Sequence, residues 1–180
     1  MSVQLALLGF LLERDYHGYE LKKTIERLMG QWTDIRFGSI YHALGALERS
    51  GNVRIVATIQ SPGKPAKSVY SITESGKEEF QRLLRSNLTD LQRVFLADDI
   101  GMFFGKQLDP AELTLLLRNH LKSLEGLLAT LIHHRGKLPN YDISEKRIAQ
   151  QLITRHIGHL EYDCQWFKQA IEMSESGMLY

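Results

Sequence analysis

At 180 residues, 43% apolar and 24% charged, the chain is long enough for one large domain or two small ones, and its composition excludes intrinsic disorder. A formal net charge of +1 excludes a uniformly basic coat for nucleic acid but allows a local basic patch: residues 1–86 hold 12 Lys and Arg against 9 Asp and Glu, residues 87–180 hold 10 against 12, a sign that suits a nucleic-acid-binding first half. The single cysteine, Cys164, excludes an internal disulfide and fits a reducing cytoplasm.

The apolar run 3–12 is too short to span a bilayer, and no Lys or Arg precedes it as in a secretory signal. It reads as a buried first helix over 2–13, capped by Ser2, with Leu5, Leu8 and Leu12 on its inner face. Asp15-Tyr16-His17-Gly18 breaks it. A second helix over 19–29 places Leu21, Ile25 and Leu28 together and ends at Gly30. A third over 39–50 is stopped by Gly51-Asn52. Residues 53–59 alternate and are rich in β-branched side chains, so they form a strand. Ser61-Pro62-Gly63-Lys64-Pro65 is a turn, 68–72 a second strand, and 77–85 a fourth helix.

The rest has no strand pattern. Residues 88–104 have helical apolar spacing, interrupted at Gly105-Lys106-Gln107. Asp109-Pro110-Ala111-Glu112 starts a helix: Asp109 caps, Pro110 takes the first position and Glu112 the capping-box position. Leu113, Leu117, Leu121, Leu124, Leu128 and Leu131 then form its stripe. After a break over 136–142, a last helix from about 144 carries Ile148, Leu152, His156, Leu160, Cys164, Phe167 and Ile171. Leu115, Leu116, Leu127 and Ile132 lie off the first stripe, and Ile153, Ile157 and Trp166 off the second. A second copy of the chain is the simplest cover for them; folding back on the first half is the alternative.

The third helix carries the functional signal. Ile40, Leu44 and Leu47 share its core face. Gly38, His42, Gly45, Ala46 and Arg49 point the other way, Ser39 and Tyr41 flank them, and the one acid, Glu48, is expected on the core side. A helix merely lying on a surface is normally rich in Glu and Lys. Small residues instead permit close approach, and the hydrogen-bonding ones suit phosphates or base edges. With the helix before it this makes a helix-turn-helix. The hairpin after it carries Lys64 and Lys67 near a proline-stiffened tip, suited to a phosphate line or minor groove.

His17-Gly18-Tyr19-Glu20-Leu21 resembles the HGYEL signature of PadR-type transcriptional regulators. Gly38-Ser39-Ile40-Tyr41, with Leu44, Leu47-Glu48 and Gly51, is similar to their recognition-helix pattern, and Pro65-x-Lys67-x-x-Tyr70-x-Ile72-Thr73-x-x-Gly76 to their wing and exit strand. The resemblance covers residues 5–85 strongly and the later helices less specifically, through their arrangement and the stretch 99–113. It implies a mainly α protein: a winged helix-turn-helix domain over 1–86 with a small β-hairpin wing, then an all-α domain of long helices over 87–180 that builds a homodimer. This longer second half resembles the subgroup with several C-terminal helices. The chain departs from the family in carrying Phe37 and His42 where many members have proline, so the helix start and its base contacts are expected to differ.

Carried onto this chain, the resemblance implies a cytoplasmic regulator that binds double-stranded DNA at a two-fold-related site. Ser39, Tyr41 and His42 lie at the groove-facing start of helix three, and Arg49 near its other end is expected on a phosphate. Tyr19 and Lys22 are placed for backbone phosphates, Lys64 and Lys67 act from the wing, Tyr70 packs in the strand, and His17 caps or packs its turn. Some members of the family bind aromatic or phenolic ligands, and others act in virulence or quorum-sensing circuits. Here Trp166, Phe103 and Tyr162, with Phe104 and Phe167, are candidates for an effector pocket, against core packing. No cofactor is expected. Of the rival functions, metal binding rests on His156, His159 and Asp163 at helical spacing, and on His133-His134 less well. Catalysis has no nucleophile elbow, phosphate loop or dinucleotide fingerprint behind it, and Cys164 falls on an apolar stripe. A protein-interaction adaptor would need neither a basic wing nor a polar helix face.

Overall fold

The computed structural model describes residues 2–30, 32–33, 35, 37–60, 67–91, 96–138 and 142–180, without the side chains of residues 2, 37, 143 and 144. They form two compact units, Met1–Gln92 and Arg93–Tyr180. The first contains α1 (Ser2–Glu13), β1 (Tyr16–His17), α2 (Gly18–Met29), α3 (Phe37–Arg49), β2 (Val53–Ile59), β3 (Lys67–Ile72) and α4 (Glu74–Thr89). The second contains α5 (Asp98–Phe104), a short 3-10 turn at Gly105–Gln107, α6 (Pro110–Arg135) and α7 (Ile143–Glu175). Among the described residues, no helix is long and apolar enough to cross a membrane.

In the first unit the helices close over one core. Leu7, Leu8 and Leu11 of α1, Leu21 and Ile25 of α2, Ile40, Leu44 and Leu47 of α3, and Leu83 of α4 are all buried. The inner line of α1 is therefore not Leu5, Leu8 and Leu12; Leu12 is exposed. An almost continuously apolar helix has no unique stripe, so its neighbours choose the face. The three strands are antiparallel in the order β1-β3-β2. The short β1 was not predicted: two residues show no period, yet Tyr16 pairs with Tyr70 and His17 with Val69. Between Ile55 and Ala57 the register of β2 slips by one residue, a bulge that bends the hairpin. Together α1 to α4 and the sheet make a winged helix-turn-helix.

The end of α3 is set by its backbone. Gly51 N–H donates to the Glu48 carbonyl (2.9 Å) and Asn52 N–H to the Leu47 carbonyl (2.9 Å). This is a Schellman closure, and Gly51 takes the left-handed conformation it needs, φ 74°. A Cβ on Gly51 would meet no other atom within 4 Å, so Gly51→Ala tests backbone conformation alone. It should cost about 1–2 kcal/mol, read as a fall in melting temperature of about 4–16 °C by circular dichroism.

In the second unit α6 and α7 pack on each other. Asp109 caps α6 by accepting from the N–H groups of Ala111 and Glu112, with Pro110 in the first turn. The reciprocal bond expected of Glu112 is not among those described. A full capping box starts α7 instead: Asp142 accepts from Glu145 N–H (2.7 Å), and the Glu145 carboxylate accepts from Asp142 N–H (3.1 Å). Of the helical spacing over 88–104, only α5 is helix beyond Thr89, where α4 ends; residues 92–95 lie outside the described set.

The stripe expected on α6 faces inward, with Leu113, Leu117 and Leu131 buried. On α7 the expected line holds only at Cys164, Phe167 and Ile171. Upstream the buried residues are Ala149, Ile153 and Ile157, and Ile148 is exposed. Steps of four residues advance about 40° each around a helix, so the line 148-152-156-160 spirals off the contact face. The expectation that Ile153 and Ile157 lie off the core is corrected accordingly.

Candidate nucleic-acid interface

Measured at about 100° per residue, the buried side of α3 (Ile40, Ala43, Leu44, Leu47) is centred opposite a narrow row. That row is Gly38, His42, Gly45 and Arg49, at spacings of four, three and four. Gly38, His42 and Arg49 are exposed and Gly45 half-buried. A Cβ on Gly38 would meet nothing within 4 Å. Small and hydrogen-bonding residues therefore alternate along one edge. Ser39 and Ala46 are half-buried beside it, and Tyr41 lies on the other flank, 41% exposed. Glu48 is exposed on that flank too. The expectation that it lies toward the core is corrected, because its position on the helix clears the buried arc.

α2 approaches α3 through Gly18, which is buried. A Cβ there would come within 3.1 Å of the Tyr41 ring and 3.6 Å of Leu44 and of the Tyr70 ring. Tyr70 is a packing residue, half-buried against the core. Burial, with the Glu48 carboxylate adding to it, pushes its phenol pKa up, so it stays neutral. His17 precedes α2 with no side-chain capping bond. Its backbone pairs in the sheet, and its Nδ1 is buried without a partner. Of its two expected roles, packing in the turn is the one it fills. The Arg14 guanidinium (2.6 Å) holds the Glu20 carboxyl below its usual range, helped by the His17 backbone N–H.

The outer face of α2 carries Tyr19, 55% exposed. Lys22 Nζ and Lys23 Nζ lie 6.0 Å and 5.8 Å from its ring centre. Lys22 is the less available of the two cations. Its side chain is only 18% exposed and pairs with Glu26 at 3.4 Å, whereas that of Lys23 is 58% exposed and 3.8 Å from the same acid. Sequence reasoning missed Lys23. The wheel carries the signal, since Tyr19 and Lys23 both lie opposite Leu21 and Ile25. Lys67 opens β3, exposed and paired in register with Ile59. Lys64 lies outside the described residues. Arg54, exposed on β2, also went unpredicted, although alternation with the buried Val53 marks it.

The structure does not gather the aromatic candidates into one enclosed site. Phe103 (71% exposed) meets Phe104 edge-on at 5.1 Å, and Trp166 (38%) meets Phe167 at 4.9 Å, while Tyr162 is 65% exposed. Phe167 is core. Among the described residues no three His, Cys, Asp or Glu side chains converge as metal ligands. Cys164 is buried, and burial pushes its thiol pKa up, the opposite of what a nucleophile needs.

Residues 7–82 match the family described as the transcriptional regulator PadR-like family. The chain is 33% identical over 89 residues to the probable transcriptional regulator Rv1176c of Mycobacterium tuberculosis, a match covering 49% of this chain and 47% of that one. It thus spans about half the length of that curated relative. Its fold is similar to Bacillus subtilis PadR in complex with operator DNA (TM-score 0.78, 21% identity, 97% and 99% of the two chains). It is also similar to B. subtilis PadR in complex with p-coumaric acid (TM-score 0.73, 20% identity, 97% and 99%).

Proposed function

We propose that the chain is a transcriptional regulator of the PadR-like family, whose model matches residues 7–82, and that it is a cytoplasmic homodimer that binds double-stranded DNA at a two-fold-related site. The observation that carries the reading is the row of small and hydrogen-bonding residues on α3, set opposite the core; exposed Tyr19 and Lys23 on α2 and Lys67 on β3 add to it. α3 enters the major groove; Ser39, Tyr41 and His42 meet base edges or the sugar edge; Tyr19, Lys22, Lys23, Lys64 and Lys67 hold phosphates. Leu115, Leu116, Leu127 and Ile132 of α6, all exposed, are covered by the second copy, which sets two α3 helices on half-sites about one helical turn or a multiple apart.

The test is selection of bound fragments from the host genome, followed by anisotropy titrations with competitor DNA. The expected outcome is one recurrent two-fold site. Binding without preference between sequences would refute the reading. In the same assay His42→Ala should alter the preferred bases more than the overall affinity, and an unchanged selected-site profile would remove His42 from readout.

A second reading adds an aromatic or phenolic effector. It is favoured by the likeness in fold to PadR in complex with p-coumaric acid and by the exposed rings of Trp166, Phe103 and Tyr162. Quenching of tryptophan fluorescence across a panel of phenolic acids tests it; silence throughout argues against that ligand class.

A further inference from the structure

We propose that Arg49 reads a guanine base edge in each half-site, and is not the phosphate contact that its place at the end of α3 suggests; this rests on the DNA-binding reading above. Long side chains on a helix lean toward its N-terminus, over the preceding turn. Here the side chain runs back along its own helix. Its Nη1 lies 3.4 Å from where a Cβ of Gly45 would stand. Gly45 is one helical turn upstream, so the charge is carried about 6 Å from the Arg49 end toward the middle of the helix. There it lies in the row with His42 and Gly38, directly opposite the buried Leu44 and Leu47. That line enters a groove deepest when the helix docks by its small-residue face.

Gly45 makes the arrangement available. A larger side chain there would occupy the ground on which the guanidinium lies and hold the helix away from the bases. Among the described residues no acid forms an ion pair with Arg49, although Glu48 is its neighbour in sequence, so its fork of donors remains available. A planar guanidinium delivered to the groove floor matches the O6 and N7 acceptors of guanine with two parallel hydrogen bonds from one rigid fork, where lysine offers a flexible point charge. The row then divides its work, with His42 and Arg49 supplying donors and Gly38 and Gly45 allowing the close approach.

The experiment compares DNA selected from a random library by the full-length wild type, Arg49→Lys and Arg49→Ala, each checked for fold by circular dichroism. The wild type should demand guanine at one position of each half-site, symmetrically placed. Arg49→Ala should lose the preference there alone, discrimination falling from roughly ten- to hundredfold toward none, and Arg49→Lys should keep part of it. Retention of the guanine preference by Arg49→Ala would overturn the assignment. So would a uniform loss of affinity in Arg49→Ala with a salt slope smaller by about 0.9 for each arginine removed, since that is a phosphate contact. Wild type that selects no sequence at all would overturn the DNA-binding reading, and this assignment with it.

Discussion

Gly76→Ala is expected to destabilise the winged-helix unit by about 3 kcal/mol or more, the upper range for overpacking a filled site. A Cβ on Gly76 would stand 2.0 Å from the carbonyl oxygen of Asn52, 2.9 Å from its carbonyl carbon and 2.8 Å from Ile72 Cγ1. Two of these three atoms are backbone and cannot turn aside as a side chain would. The Asn52 carbonyl is itself engaged, accepting from Thr73 N–H at 3.1 Å. The Thr73 hydroxyl accepts from Gly76 N–H (3.1 Å) and donates to the Gly51 carbonyl (2.7 Å). Ser75 Oγ donates to the same carbonyl (3.0 Å). This seam ties the end of α3 to the start of α4 and to the base of the hairpin. The methyl group must break it or tilt α4. The melting temperature should fall by about 12–24 °C, followed by far-UV circular dichroism. DNA binding should weaken at temperatures where the unit is still folded, because the seam also fixes where the wing stands relative to α3. A shift below about 5 °C would mean that the Asn52 turn yields easily and that the seam is not rigid.

That seam explains an asymmetry in what the sequence disclosed. Gly51 and Gly76 stand out in the chain as a helix stop and a motif position, yet they do different work. Gly51 needs a left-handed backbone and has open space around it; Gly76 needs the absence of a side chain. Local pattern found the first requirement, and only the close approach of residues 24 apart in sequence defines the second. α3 was legible because its apolar arc is narrow and its other side conspicuously lean. α1 was not, because it is apolar on nearly every side, so its partners decided that Leu7 and Leu11 go inward and Leu12 outward.

The same contrast runs through the second unit. Asp109-Pro110 announced the start of α6 through chemistry confined to three residues, and the structure agrees. The contact line of α7 required the correct period over many turns, and a small error in period accumulated until Ile148 and Ile153 changed places. At the interface, Lys22 is the cation the sequence places on α2, although only Lys23 faces fully outward. The distinction depends on how far the wheel has turned by each residue, about 100° between the two.

Removing the cations proposed to hold phosphates from α2 and the wing should produce the largest functional loss. In Lys23→Ala/Lys64→Ala/Lys67→Ala each chain gives up three positive charges, and the proposed two-fold dimer six. Each phosphate contact releases about 0.9 of a counterion, so the plot of log affinity against log salt should flatten by about 5 units. At 0.15 M salt the same relation puts the loss of affinity on the order of 10⁴-fold, nearly uniform across DNA sequences. Lys23 must leave Glu26, 3.8 Å away, to meet a phosphate. An exposed pair at that distance holds it by at most about 1 kcal/mol, less than a phosphate contact returns at low salt. The selected-site profile should survive the triple substitution, since α3 is untouched; that separates it from changes at His42 or Arg49. A salt slope equal to that of the wild type would place α2 and the wing away from the DNA and would require a different docking face for the dimer.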